Sequence, residues 1–225
     1  MRIYVKVLLA VMSVTTIIFA ETTPETEATP AIYHRVTVSE MALSFNLPQT
    51  WPKQFYIMNG SPQSITIDSP FTLNMRRNDS SAEPGTFSVI SVSMFKMAST
   101  TRFGYLFQNG KPIGISLYGD YLKKADRKNI EFHAADDSDQ ALLFGQYMLS
   151  RNKAPADKIL HNIHIPNSIG FVGARRLGGI PYATYEIYVA NKDRMTTIII
   201  AVPASRFSEL QAEMDEISKQ ISYEQ

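Results

Sequence analysis

Toward its C-terminal end the chain reads YATYEIYVA, NKDR, MTTIIIAVP and then SRFSELQAEMDEISKQISY. Two runs rich in β-branched and aromatic residues, joined by a polar tetrapeptide, form an antiparallel hairpin. Tyr185, Ile187 and Val189 fall on one face of its first strand, and Thr184, Glu186 and Tyr188 on the other. Ile198 to Ile200 is apolar on both sides, which places the second strand centrally, covered on each face. In the last segment Phe207, Leu210, Met214, Ile217 and Ile221 recur at intervals of three and four, the pattern of an amphipathic helix, with Ser205 as its cap. A central hairpin of this kind needs a layer above and a layer below. The sequence therefore predicts an α/β (α+β) fold: a single antiparallel β-sheet with helices on both faces.

The remainder of the chain has to supply those layers by packing alone, because there is no cysteine among its 225 residues. An apolar content of 44% against 19% charged is enough for one sizeable core. Residues 1–20, MRIYVKVLLAVMSVTTIIFA, read as a signal peptide: Arg2 and Lys6 precede an apolar stretch from Val7 to Phe19, and Ala20 offers a small residue for cleavage. The competing reading is an uncleaved anchor, although that stretch spans only about 20 Å as a helix against about 30 Å of bilayer hydrocarbon. Residues 21–31, rich in Thr, Pro and Glu, read as a disordered leader. Residues 32–225 then form a single globular domain, periplasmic or secreted, with no membrane insertion after cleavage. Lacking cysteine, the chain is neither a lipid-anchored lipoprotein nor a disulfide scaffold. Net charge is +1, and removing Arg2 and Lys6 leaves 20 basic against 21 acidic residues, so no basic excess points to nucleic acid.

Between leader and hairpin, HRVTVSEMALSFNLP alternates as two short strands or one bent one. Pro48 and Pro52 stop it, and Trp51 between them is placed to fold back as a lid on the core. A strand is expected around Ser64 to Ile67, another in TFSVISVSMFKM, and a third in RFGYLF before the Asn109-Gly110 turn. SLYGDYLKKADRK and DSDQALLFGQYMLSRN read as helices, the second with Leu142, Leu143, Gln146, Tyr147 and Ser150 at helical spacing and Asp137, Ser138 or Asp139 as cap. KILHNIHIP returns to a strand.

FNLPQTWP is similar to the strand–proline–tryptophan opening of PsbP-like domains, and LGGIPYATYEIYVANKDRMTTIIIAVPASRFSELQAEMDEI resembles their closing glycine, hairpin and terminal helix. That family takes its name from an extrinsic protein of photosynthetic oxygen evolution and includes bacterial DcrB-like periplasmic members. The resemblance implies an antiparallel sheet with helices on both faces. It also implies a binding or assembly role with no shared catalytic set.

The chemical motifs resolve into ordinary structure. His161 and His164, three apart on an expected strand, face opposite ways and lack a third ligand of matching spacing. Asp136, Asp137 and Asp139 sit where a helix dipole favours acids, while Leu142 stands where a calcium loop needs glycine. GISLYG lacks the closing glycine of a nucleophile elbow, and GFVGARRLGG lacks the phosphate-loop Lys-Ser/Thr. No catalytic residue, metal or cofactor is therefore assigned. Arg102, Phe103, Tyr105 and Phe107, together with Arg175 and Arg176, combine the residue types that dominate protein interfaces. The function expected is that of an exported, non-catalytic binding protein with an unknown protein partner in the periplasm or outside the cell, in narrower form an immunity or inhibitor protein. The alternative is a secreted or periplasmic hydrolase with an unrecognised carboxylate-based site. The exported chain is expected to begin at Glu21; N-terminal sequencing decides this, and Met1 intact on membrane-bound material would favour the anchor.

Overall fold

The computed structural model describes residues 32–223, apart from 67–68, 80–85, 97–101, 124–128, 137–138, 152–158, 162 and 192–193. The signal peptide, the leader and the proposed caps Asp137 and Ser138 lie outside the described residues.

The predicted hairpin is formed by β10 (Ile180–Asn191) and β11 (Arg194–Pro203), in register from Tyr182 opposite Pro203 to Asn191 opposite Arg194. Around it a six-stranded antiparallel sheet runs in the order β3-β4-β5-β11-β10-β9, adding β3 (Tyr56–Asn59), β4 (Phe71–Arg76), β5 (Val89–Lys96) and β9 (Ser168–Leu177). On one face of this sheet Leu73, Met75, Ile90, Val92, Ile187, Ile198 and Ile200 meet a second, three-stranded sheet and a helix. That second sheet has the order β1-β2-β12, from β1 (Tyr33–Val38), β2 (Leu43–Pro48) and β12 (Ser222–Tyr223). A short turn over Ser39–Met41 joins β1 to β2, so HRVTVSEMALSFNLP is two strands paired as a hairpin, Val36 opposite Phe45. The helix, α3 (Phe207–Lys219), buries Leu210, Met214 and Ile217 as its spacing requires. A tight turn over Ala204–Arg206 leads into α3 with Arg206 at its N-cap, so Ser205 does not cap it.

The single-sheet expectation is overturned: the described residues build three antiparallel sheets with few helices. The third sheet, in the order β7-β6-β8, comes from β6 (Phe103–Gln108), β7 (Lys111–Leu117) and β8 (Ile130–Ala134). Its formation follows from the tight Asn109-Gly110 turn, where both residues have positive φ (51° and 73°) and fold β7 straight back onto β6. The strand thereby closes its own sheet and does not extend the large one. Likewise the layer over the main core is partly a β-hairpin, where helices were expected.

The helix α2 (Gln140–Arg151) lies where DSDQALLFGQYMLSRN placed it, directly after Asp139. Its Phe144, absent from the expected stripe, packs against Tyr188 of the large sheet (centroids 4.6 Å apart) and Phe103 of the small one (5.0 Å). Gly145 permits this approach, since a Cβ there would stand 2.3 Å from Ile169 Cγ2. Other expectations shift. Ser116 and Leu117 end β7, and α1 (Tyr118–Lys123) begins only after them. Ser64 to Thr66 is not strand; the strands lie on either side, at β3 and β4. The described residues of KILHNIHIP contribute one isolated bridge, Ile159 to Phe171, and are otherwise irregular.

Trp51 is 2% exposed within the main core. Its indole N–H donates to Glu213 Oε1 of α3 at 2.7 Å, and Arg77 grips the same carboxylate through Nε (2.9 Å) and Nη2 (3.0 Å). Asp79 joins Arg77 to Arg206, so the loop after β4, the tryptophan turn and α3 share one network. Trp51→Ala is expected to cost about 3–5 kcal/mol in urea unfolding through lost burial and the broken network. An unchanged midpoint accompanied by lost partner binding would make Trp51 a recognition residue.

Candidate functional site

On β6, alternation puts Phe103, Tyr105 and Phe107 on one face, opposite Ala135, His133 and Glu131 along the β8 side. The two ends of this row differ. Phe103 is 3% exposed and lies under α2, against Phe144 and Tyr147. Its backbone is satisfied by the buried Gln140 side chain, which accepts from Phe103 N at 3.0 Å and donates to Phe103 O at 3.2 Å. Gln140 thus acts as a one-residue strand partner and pins α2 to the sheet. Tyr105 is 37% exposed, and Phe107 is half-buried with its ring against His133 at 4.6 Å. His133 contacts Glu131 at 3.3 Å. Ile113, the extra residue of a bulge in β7, is 48% exposed. The result is a sheet face closed by a helix at one end and open, aromatic and mixed in charge at the other. Arg102 is exposed at the closed end, its carbonyl accepting from Tyr118 N at 2.8 Å.

The structure does not bring Arg175 and Arg176 to this face. Both lie on β9, an edge of the six-stranded sheet. Arg176 is exposed and donates to Gly179 O at 3.0 Å. Arg175 is committed: its Nε and Nη2 each reach the Glu186 carboxylate at 2.6 Å. Glu186 is 2% exposed and also accepts from Thr184 Oγ1 (3.0 Å) and Tyr188 OH (2.8 Å). Gly173 makes room for that carboxylate, as a Cβ there would lie 3.0 Å from Glu186 Oε1. Burial alone raises the Glu186 carboxyl, but the hydrogen bonds and charge of Arg175, with Tyr188 and Thr184, outweigh it and hold the group below the ordinary carboxylate range. Burial, reinforced by the neighbouring carboxylate, raises the Tyr188 phenol. The buried Glu186 carboxylate thus accepts from Arg175, Thr184 and Tyr188, while the Arg175 side chain stays 38% exposed. Sequence reading missed it because Glu186 looked like the polar side of an amphipathic strand.

His161 and His164 are exposed on irregular chain, and among the described residues no cluster of three or more His, Cys, Asp or Glu could hold a metal. A cavity of about 100 Å³ opens between the Ser39–Met41 turn and β11, beside Met94, Val189, Arg194 and Thr196. It is well below the 300–1,000 Å³ of a small-molecule site. Among the described residues no helix is long and apolar enough to cross a membrane.

No protein-family model and no curated protein matches the chain. Among solved structures, one similar chain comes from Bacteroides thetaiotaomicron VPI-5482, with 9% identity and a TM-score of 0.37 over 85% of this chain and 48% of that one. This chain thus spans about half the length of that protein. Another is the solution structure of cyanobacterial PsbP (CyanoP) from Synechocystis sp. PCC 6803, with 12% identity and a TM-score of 0.34 over 88% of this chain and 95% of that one. A PsbP protein, of the family that the two ends of the sequence resemble, is thus among the solved structures similar to this chain.

Arg175→Ala leaves Glu186 buried without its counter-charge and is expected to cost about 3–5 kcal/mol. Because the folded-state carboxyl is depressed, its contribution is present above the unfolded value of about 4.3 and is lost as pH falls below it. Urea unfolding from pH 7 down to pH 3 should therefore show a flatter acid limb for Glu186→Gln than for the native chain. Identical limbs would show that Glu186 titrates alike in both states.

Proposed function

We propose that the chain is an exported, non-catalytic binding protein, periplasmic or secreted, that acts through a protein–protein contact on the open face of the β7-β6-β8 sheet. The supporting observation is the half-exposed row of Tyr105 and Phe107 with His133 and Glu131 beside it, carried on paired strands. Aromatic side chains held by a sheet lose little conformational entropy on binding, and a neighbouring charged rim supplies orientation. In its narrower form the chain is an immunity or inhibitor protein that plugs a toxin or enzyme of the same compartment. With Phe103 buried under α2 and Arg175 paired with Glu186, we place the contact on Arg102, Tyr105 and Phe107 and treat Arg176 as a separate surface position.

The test is capture of the partner from periplasmic extract followed by measured affinities for folded variants. Tyr105→Ala and Phe107→Ala are each expected to cost about 2 kcal/mol, roughly thirtyfold in Kd. Removal of a general acid or base instead drops turnover about 10²–10⁴-fold while binding persists. Unchanged affinity in both variants, or a measurable turnover abolished by one carboxylate substitution in a folded chain, would overturn the proposal.

A further inference from the structure

Asparagine precedes glycine twice in the chain, at Asn59-Gly60 and at Asn109-Gly110. Both pairs are exposed, and both glycines have positive φ, 72° and 73°. Their surroundings differ. Asn59 ends β3, and its side-chain Nδ2 donates to Pro70 O at 3.3 Å. Gly60 lies against the same carbonyl, so that a Cβ there would stand 2.7 Å from it. A Cβ on Gly110 would meet nothing within 4 Å. Asn109 and Gly110 form the whole of the β6–β7 loop, with Gln108 opposite Lys111. In a two-residue loop the ladder hydrogen bonds belong to the flanking pair, and the Gly110 N–H lies outside them.

We propose that Asn109 is a site of spontaneous deamidation, and that the fold selects it over Asn59. The Gly110 nitrogen, losing its proton to solvent base, attacks Asn109 Cγ. A C–N bond forms, the Cγ–Nδ2 bond breaks, and the side-chain nitrogen leaves as ammonia. Water then opens the resulting five-membered imide at either carbonyl, giving aspartate or its β-linked isomer, isoaspartate. One amide and one water become one carboxylic acid and one ammonia. Glycine permits the attack because it has no side chain to screen its nitrogen. At Asn59 the leaving nitrogen is bonded to Pro70 O and the glycine is braced on the same carbonyl, so ring closure must first break both contacts. At the β6–β7 tip solvent reaches Gly110 from an open side. Isoaspartate carries a new negative charge and routes the main chain through one extra carbon, which breaks the geometry of a two-residue hairpin loop. Phe107, whose ring lies against His133, is two positions away, so the modification loosens the strand end beside the proposed contact face. Only the relevance to binding rests on that reading; the chemistry at Asn109 does not depend on it.

Folded chain held in mildly alkaline buffer, then digested and mapped by mass spectrometry, should show the amide-to-acid mass change at Asn109. The change should run about tenfold faster there than at Asn59, the rate equivalent of one ordinary hydrogen bond held against ring closure. In urea both sites lose their surroundings and should convert at similar rates. Asn109→Gln, which needs a larger ring, should silence that peptide and leave Asn59 at its own rate. Amide hydrogen exchange at Lys111 should quicken in the isoaspartyl fraction but not in Asn109→Asp, which adds the charge without the extra carbon. None of these readouts involves a partner, so they stand or fall apart from the contact on the β7-β6-β8 face. A folded chain in which Asn59 converts as fast as Asn109, or in which Asn109 stays intact, overturns the proposal. So does a rate difference that persists in urea, or an isoaspartyl fraction whose Lys111 exchange is unchanged.

Discussion

Burial of β11 is the constraint on which the remainder rests. Ile198 and Ile200, with their neighbours Ile187 and Tyr185 on β10 and Val92 and Ile90 on β5, are at or within 2% of complete exclusion from solvent. With no disulfide to hold the chain, each of these side chains contributes about 1.5–3 kcal/mol by leaving water, and only a continuous covering layer secures that gain. The chain provides the layer from its two ends. Pro203 stops β11, the following turn lays α3 back across the sheet, and β12 then pairs with β2, setting Ser222 against Ser44 with their hydroxyls 2.7 Å apart. First and last strands thus close over the same core.

Apolar burial of this kind is non-directional and does not by itself fix strand register. The buried polar groups do. Glu186 lies on the face of β10 turned away from the main core, facing Arg175 across the β9–β10 pair. A one-residue slip would turn that carboxylate into the apolar side of the sheet and strand its arginine. On the other side of the sheet, Glu213 holds α3 against Trp51 and Arg77 at a single rotation of the helix. Each network costs desolvation, and each is fully hydrogen-bonded, which is the condition under which buried charge is tolerated.

What the sequence made legible was the part governed by local periodicity. The β10–β11 hairpin, the α3 stripe, α2 and the buried tryptophan follow from alternation, three-and-four spacing and proline stops. The partition into three sheets was not legible, because alternation says that a strand has two faces and does not say which strand lies beside it. Gln140 illustrates the gap. In sequence it is an unremarked polar residue at a helix start, and in the fold it completes the backbone bonding of Phe103 across 37 positions. The candidate residues were chosen by type, and type does not show surroundings: Phe103 is buried against α2 and Arg175 is paired with Glu186, while Tyr105 is 37% exposed. The β3 strand carried no local signal beyond an uncharged stretch.

The open aromatic face follows from economy in α2. That helix presents Phe144 to Tyr188 on one side and to Phe103 on the other, so one element covers the β9–β10 part of the second face of the large sheet and also one end of the small sheet. At Gly145 it packs directly onto Ile169 of β9. The far half of the small sheet therefore stays uncovered while its strands remain paired and its Phe103 end remains anchored. The small sheet owes its exposed aromatics to the packing of the large one, and any change that loosens α2 at Gly145 or Phe144 should reach Tyr105 without touching it.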